Sequence, residues 1–429
     1  MGRQRVTRGA ESRTAIIALG LALLIFAAFS QFKLPVVLPL LLDRYAYDPV
    51  LAGGFMSVYA ALGIGLSIWI GRRAEEDGPL NLALLALPLM ACGTLVSLAA
   101  PQLGAVVLLG RGLEGAAFAI LAVTGAALAT SAAAPQHRAL VIGLVAAWMP
   151  AGQLLAALLA PLALAAGGPV DGWALLWQAS IALALLLAAW TWAARRQTAK
   201  RAAAPEKQKP QPQAWSRRQR QGLVLTAAVF MLWSGQYLAY MTWLPEYLVA
   251  VLAMPVETAL WFYLLPVVFV ALFNVATGFM LRGGLAPERL LLGAVLLQAV
   301  LWWLLPYTGG GLSGLISLVF YGVAAGIAPT CLFALPTVLT DGPGQTARAF
   351  GGIMTGRNLG VLMGPLLLAQ MVKWSGDWGA GSLVFGGLTT LAAALAAVLL
   401  AVAPRVRREL QAPRSDHVLT EPLGGRAKT

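Results

Sequence analysis

Apolar residues run through this chain in long stretches divided by short polar connections. The pattern lacks both the alternation of a half-buried strand and the one-sided stripe of a surface helix. Twelve stretches reach spanning length, near 14–42, 50–71, 79–100, 103–131, 138–166, 173–194, 222–251, 257–281, 286–306, 311–339, 349–374 and 380–402. A helix needs about 20 residues to cross roughly 30 Å of hydrocarbon. Membrane barrel strands would show alternating segments of about ten residues instead. The prediction is an all-α polytopic membrane protein with twelve transmembrane helices.

These stretches form two sets of six, and the sets echo one another at an offset of 204 residues, from Phe26 to Phe230. Phe26-x-x-Phe29-Ser30 returns as Phe230-x-x-Trp233-Ser234, and the run from Gly152 to Pro161 returns from Gly356 to Pro365. Duplicated membrane halves that rock about a central site are a common design of secondary transporters. The expected organisation is an N-terminal tail over 1–13, a six-helix bundle over 14–194, a linker over 195–221, a second bundle over 222–403 and a tail over 404–429. The linker carries nine Lys or Arg, one Glu and three Pro, the composition of a solvated connection. The polar tail from Pro404 onward is expected to be mostly disordered.

Composition supports the membrane reading: 59% of residues are apolar, 11% are charged and the mean hydropathy is +0.77. A net charge of +13 could suggest nucleic acid, but its distribution argues against that partner. Of 30 Lys and Arg, 25 lie in the two tails, the linker and the even-to-odd connections, whereas only Arg44 and Lys373 lie in the odd-to-even loops. Basic loops stay cytoplasmic. Both termini are therefore expected in the cytoplasm, with the chain a multi-pass protein of the inner or plasma membrane. The basic N-terminal stretch precedes an apolar run too long for a secretory signal, so it reads as a retained first helix. Cys92 and Cys331 fall in spans and imply no disulfide. Neither His137 nor His417 is intramembrane, and no cofactor or metal is expected.

Three features together resemble the major facilitator superfamily over about residues 14–403. One is the six-plus-six layout with a basic linker. Another is GRRAEEDGPL (Gly71 to Leu80), similar to that family's G-x-L-A-D-R-x-G-R-R loop, with Gly71, Ala74, Glu75 and Gly78 at matching positions. Arg73, Glu76, Pro79 and Leu80 depart from it, which puts a gating lock built on the family's Asp and Arg in doubt. The third is RGLEGAA (Arg111 to Ala117), similar to R-x-x-Q-G with Glu114 at the Gln. Helix 5 has Ala160-Pro161-Leu162-Ala163 rather than the G-P-x-x-G-G ending of proton-driven antiporters. The wording of helices 5 and 11 is weakly similar to bacterial carriers of small anions such as cyanate. The resemblance implies that helices 1, 4, 7 and 10 line a central cavity.

Charges within spans carry the candidate chemistry, because each costs on the order of 2.5–3.5 kcal/mol to insert at a helix centre. Lys33 shares a stripe with Phe26, Ser30 and Val37, and reads either as a cation facing the substrate path or as a Lys snorkelling toward the helix end. Arg111 and Glu114 are three apart on one face. They read as a structural ion pair, or as a proton-loading Glu114 poised by Arg111. Arg357 and Asn358 offer a fork of donors suited to a small oxyanion. Arg357 sits about 100° round from a ladder of Gly352, Gly356, Gly360 and Gly364. On helix 7, Trp233, Tyr237 and Tyr240 form a stripe flanked by Gln236, read as packing or as a ligand box. Trp243 and Glu246 fit an interfacial belt.

The resulting expectation is a monomeric secondary transporter in the lipid bilayer, with no enzymatic activity, moving a small anionic organic metabolite by alternating access with possible coupling to protons. Substrate-binding candidates are Lys33, Arg357, Asn358, Gln236, Tyr237, Tyr240 and Ser30. Glu114 and Arg111 serve proton coupling or an ion pair, and Gly71, Glu75 and Gly78 a gating loop. The alternative is proton-driven efflux of hydrophobic compounds. A membrane enzyme acting on lipid would need clustered Asp or His, and none is present.

Overall fold

The computed structural model describes residues 13–199 and 214–411, with side chains of 65–76 and a few others outside the described set. Twelve long helices alternate in direction. The N-terminal half holds α1 (Thr14–Tyr45), α2 (Pro49–Glu76), α3 (Pro79–Ala99), α4 (Gly104–Ala132), α5 (Arg138–Ala146 continuing as Trp148–Gly168) and α6 (Asp171–Gln197). The C-terminal half holds α7 (Arg217–Ala250), α8 (Val256–Arg282), α9 (Pro287–Leu304), α10 (Leu312–Leu339), α11 (Gly342–Ser375) and α12 (Trp378–Gln411). Ten of these meet the length and hydropathy of a membrane span outright. One end of the bundle gathers the basic connections and is called the basic face. The other end is the opposite face.

Local chemistry explains three of the boundaries. Gly168, at φ 77, breaks the backbone between α5 and α6, and Gly376, at φ 67, closes α11 in the left-handed conformation that glycine tolerates. Ser216 starts α7 through a capping box with Gln219, so the helix begins earlier than its apolar stretch.

Three expectations need correction. The connection expected from Gly71 is helical through Glu76, and only Gly78, at φ 80, lies in the turn before α3. Residues 404–411 are not a loose tail: α12 continues to Gln411, anchored where Arg407 pairs with the buried Glu288 at the start of α9, and the rest of the expected tail lies outside the described residues. Trp243 is not at the lipid interface. Its ring is buried inside the C-terminal half and its Nε1 donates to the Pro365 carbonyl at 3.0 Å.

Small residues set the closest helix approaches. A Cβ at Gly356, Gly360 or Gly364 would collide with backbone carbonyls of α7 at Ala227, Met231 and Gly235. Gly352 meets nothing. Three rungs of the glycine ladder therefore seat α11 on α7, and Gly152 seats α5 on α1 against Ala28 and Phe29 in the duplicated half.

Between the halves, α2 lies along α11, α5 along α8 and α1 along α7. At the opposite face the halves are joined: a Cβ on Gly53 would lie 2.8 Å from the Pro365 oxygen, and Lys373 pairs with Asp48.

Candidate functional site

Proline creates the first element of the site. Pro35 has no N–H, so the carbonyl four residues back, at Gln31, has no helical donor. In a membrane such a group needs a partner from within the protein. Arg111 of α4 supplies it: Nη2 donates to Gln31 O at 3.0 Å, Nη1 to Ser30 O at 2.9 Å and Nε to Phe55 O at 3.2 Å. The guanidinium also lies over the Tyr59 ring at 4.4 Å.

Glu114, one turn along, completes a buried cluster. Its Oε1 accepts from Lys33 Nζ at 2.8 Å and Thr94 Oγ1 at 2.7 Å, and its Oε2 from Arg111 Nη1 at 2.6 Å and the Tyr59 hydroxyl at 2.7 Å. Lys33, Arg111 and Glu114 are each 0% exposed. Lys33 further reaches Thr94 Oγ1 at 3.4 Å and lies 4.8 Å from the centre of the Trp177 ring.

The arrangement differs from both sequence readings of Lys33. It neither snorkels toward a helix end nor presents a free ammonium to a path, because the one carboxylate beside it is deeper than any solvent contact. Arg111 and Glu114 form the ion pair that their spacing predicts. Ser30 is equally enclosed, its hydroxyl 3.3 Å from that of Ser180 on α6.

A second cluster lies between the halves. Tyr237 of α7 donates to Gln153 Oε1 of α5 at 2.6 Å, and Gln153 Nε2 donates to the Tyr263 hydroxyl of α8 at 3.2 Å. Trp233 stacks on Tyr237 with ring centroids 5.1 Å apart and planes 8° apart. Arg357 is within electrostatic reach of Tyr237, and the position of a Cβ on Gly63 of α2 is 3.7 Å from Asn358 Nδ2. Arg357 and Asn358 are half-buried. Arg357 Nη1 donates to Asn358 Oδ1 at 3.0 Å, and among the described residues no carboxylate lies within ion-pair distance of the guanidinium.

Helix α7 thus splits its polar residues. Tyr237 turns to the boundary between halves, whereas Gln236 and Tyr240 turn into the C-terminal half. Gln236 Oε1 accepts from Trp302 Nε1 at 2.7 Å and the Tyr321 hydroxyl at 2.9 Å. Tyr240 stacks on Tyr321, centroids 3.6 Å apart. The structure does not bring either residue to Arg357.

A model of the Major Facilitator Superfamily matches residues 19–346. The chain belongs to the Major Facilitator Superfamily. No curated protein sequence matches it. Among solved structures, it resembles a bacterial homolog of the human lysosomal transporter Spinster in an inward-facing, unoccupied conformation. That match has TM-score 0.70 and 14% identity, and covers 92% of this chain and 97% of that one. It also resembles a D-xylose-proton symporter (TM-score 0.71, 15% identity, 90% of this chain and 97% of that one). A third is the nucleoside transporter NupG (TM-score 0.67, 16% identity, 90% and 99%). These likenesses establish the fold, and the family establishes a multi-pass membrane transporter rather than an enzyme.

In this superfamily member, Gly78 of the expected gating loop lies in the turn before α3 at φ 80, a conformation that suits glycine. The side chains at Gly71 and Glu75 lie outside the described residues. Sequence reasoning missed Tyr59, Thr94, Gln153 and Tyr263 as site residues. A signal was available: Tyr59 and Tyr263, like Lys33 and Tyr237, occupy positions related by the 204-residue offset.

Proposed function

We propose that this transporter moves a small anionic organic solute by alternating access between its two halves, with Arg357 and Asn358 as the recognition pair. One observation carries the reading. Of the three cations set within the helices, Lys33 and Arg111 share the carboxylate of Glu114, whereas Arg357 stands half-buried at the boundary between halves with, among the described residues, only the Asn358 amide on it. A guanidinium with free donors in a poorly hydrated site favours a carboxylate or similar oxyanion. Tyr237 and Gln153 tie the halves together beside it, so a solute bound there competes with or reinforces that tie. The excess of basic residues in the even-to-odd connections supports placing both termini in the cytoplasm.

The stacked Trp233 and Tyr237 rings favour a second reading, export of flat hydrophobic compounds. A thermal-shift screen of the purified protein separates the two, because a ligand that binds the fold raises its melting temperature by mass action. Carboxylates are expected to stabilise the wild type and to lose that effect in Arg357→Ala. Stabilisation by apolar or cationic compounds, undiminished in that variant, overturns the anion reading.

A further inference from the structure

The buried cluster of the N-terminal half holds two basic groups and one acid, and every hydrogen-bonding position on the acid is taken. Each Glu114 oxygen accepts two donors. Arg111 is held by three backbone carbonyls besides the carboxylate, and a guanidinium does not deprotonate in proteins. Arg111 and Glu114 alone make a neutral unit. The surplus positive charge therefore belongs to Lys33, in a site with no exposure.

An unbalanced charge in such a place is expensive to keep. Glu114 and Arg111, both from α4, are the charged groups that act on Lys33. From α2 comes the Tyr59 hydroxyl, from α3 the Thr94 hydroxyl and from α6 the Trp177 ring. Protonating Glu114 would displace one of four donors and leave two cations with no anion. Deprotonating Lys33 leaves the Arg111–Glu114 pair whole and the cluster neutral.

We propose that Lys33, rather than Glu114, gains and loses the proton that this protein couples to its conformational cycle. In the releasing step an ammonium N–H bond breaks, its electron pair stays on Nζ, and the proton passes to a water molecule admitted from one face. In the loading step the amine takes a proton from water on the other face. Charge on Lys33 pulls α1 toward α4 through Glu114. Loss of that charge loosens α1, which lies along α7 and leads directly into the turn bearing Asp48, the partner of Lys373 across the opposite face. The inference rests on the transporter reading but not on the anionic nature of the solute.

Trp177 makes the test independent of any substrate, because an ammonium over an indole face perturbs its emission. The emission of the full chain in lipid nanodiscs is titrated with pH, and the same titration of Trp177→Phe is subtracted. The expected difference is a single transition with the steepness of one proton, a tenfold change in ratio per pH unit. It should vanish in Lys33→Met and Lys33→Arg and persist with a displaced midpoint in Glu114→Gln. A difference that is flat across the pH range in which the wild type stays folded overturns the proposal. So does a transition that survives in both Lys33 variants. The difference between the wild type and Trp177→Phe decides even where a Lys33 or Glu114 variant misfolds, and the solute screen described above can fail without affecting it.

Discussion

Arg111 Nη2 stands 3.0 Å from the Gln31 carbonyl, the oxygen that Pro35 leaves without a helical donor. A missing hydrogen bond in α1 and a cation on α4 are thereby parts of one solution: the proline frees an acceptor inside the membrane, and the guanidinium fills it.

Replacing Arg111 should therefore do more than remove one charge. Arg111→Ala strands the Gln31 carbonyl, takes one donor from the Ser30 carbonyl, which the Tyr59 hydroxyl still reaches, and leaves Lys33 alone with Glu114. Leaving a buried acceptor without its donor costs about 1–3 kcal/mol. Arg111→Lys cannot reach the three carbonyls in a fork and should recover only part of the loss. Thermal unfolding in one detergent would show the order wild type, Lys, Ala.

The glycine ladder makes a contrasting pair. Gly360→Ala places a methyl group against the Met231 carbonyl and should cost about 1–3 kcal/mol by forcing α11 off α7. Gly352→Ala meets open space and should leave the melting temperature unchanged or raise it slightly. Equal losses in the two would show that α11 packs elsewhere.

Tyr237→Phe removes a hydrogen bond between the halves without emptying volume. The loss of one such bond is worth roughly 0.5–1.5 kcal/mol, a shift of about two- to tenfold in a two-state equilibrium. Distance measurements between spin labels on the two halves should show the joined arrangement depopulated by that factor.

Asp48 responds to pH in a defined direction. Hydrogen bonding from Lys373 holds its carboxyl below the usual carboxylate value. A group lowered in the folded state contributes stability above its unfolded value, near pH 4, and stops contributing as pH falls through the folded value. The tie at the opposite face is expected intact from pH 5 to 8 and lost only in stronger acid. Both side chains are more than two-fifths exposed, 43% for Asp48 and 48% for Lys373, so salt should also weaken it and its worth should not exceed about 1 kcal/mol. Labels placed beside Asp48 and Lys373 should separate in acid or high salt in the wild type. In Asp48→Asn their separation should not respond.

The sequence by itself determined the membrane class, the twelve helices, their division into two related halves and the placement of Arg111 and Glu114 on one helix face. Those follow from hydropathy, from the 204-residue offset and from helical periodicity, all of which are local or repetitive along the chain. Tertiary structure alone decided which polar side chains meet. Lys33 reaches Glu114 across 81 positions, Tyr59 reaches it across 55, and Tyr237 reaches Gln153 across 84. Adjacent residues also parted: Gln236 and Tyr237 are neighbours in the chain, yet one enters the C-terminal half and the other crosses to the N-terminal half. A helix turns about 100° per residue. Which face meets which neighbour depends on glycine contacts and proline breaks distributed over several helices, and no single stretch of sequence contains them.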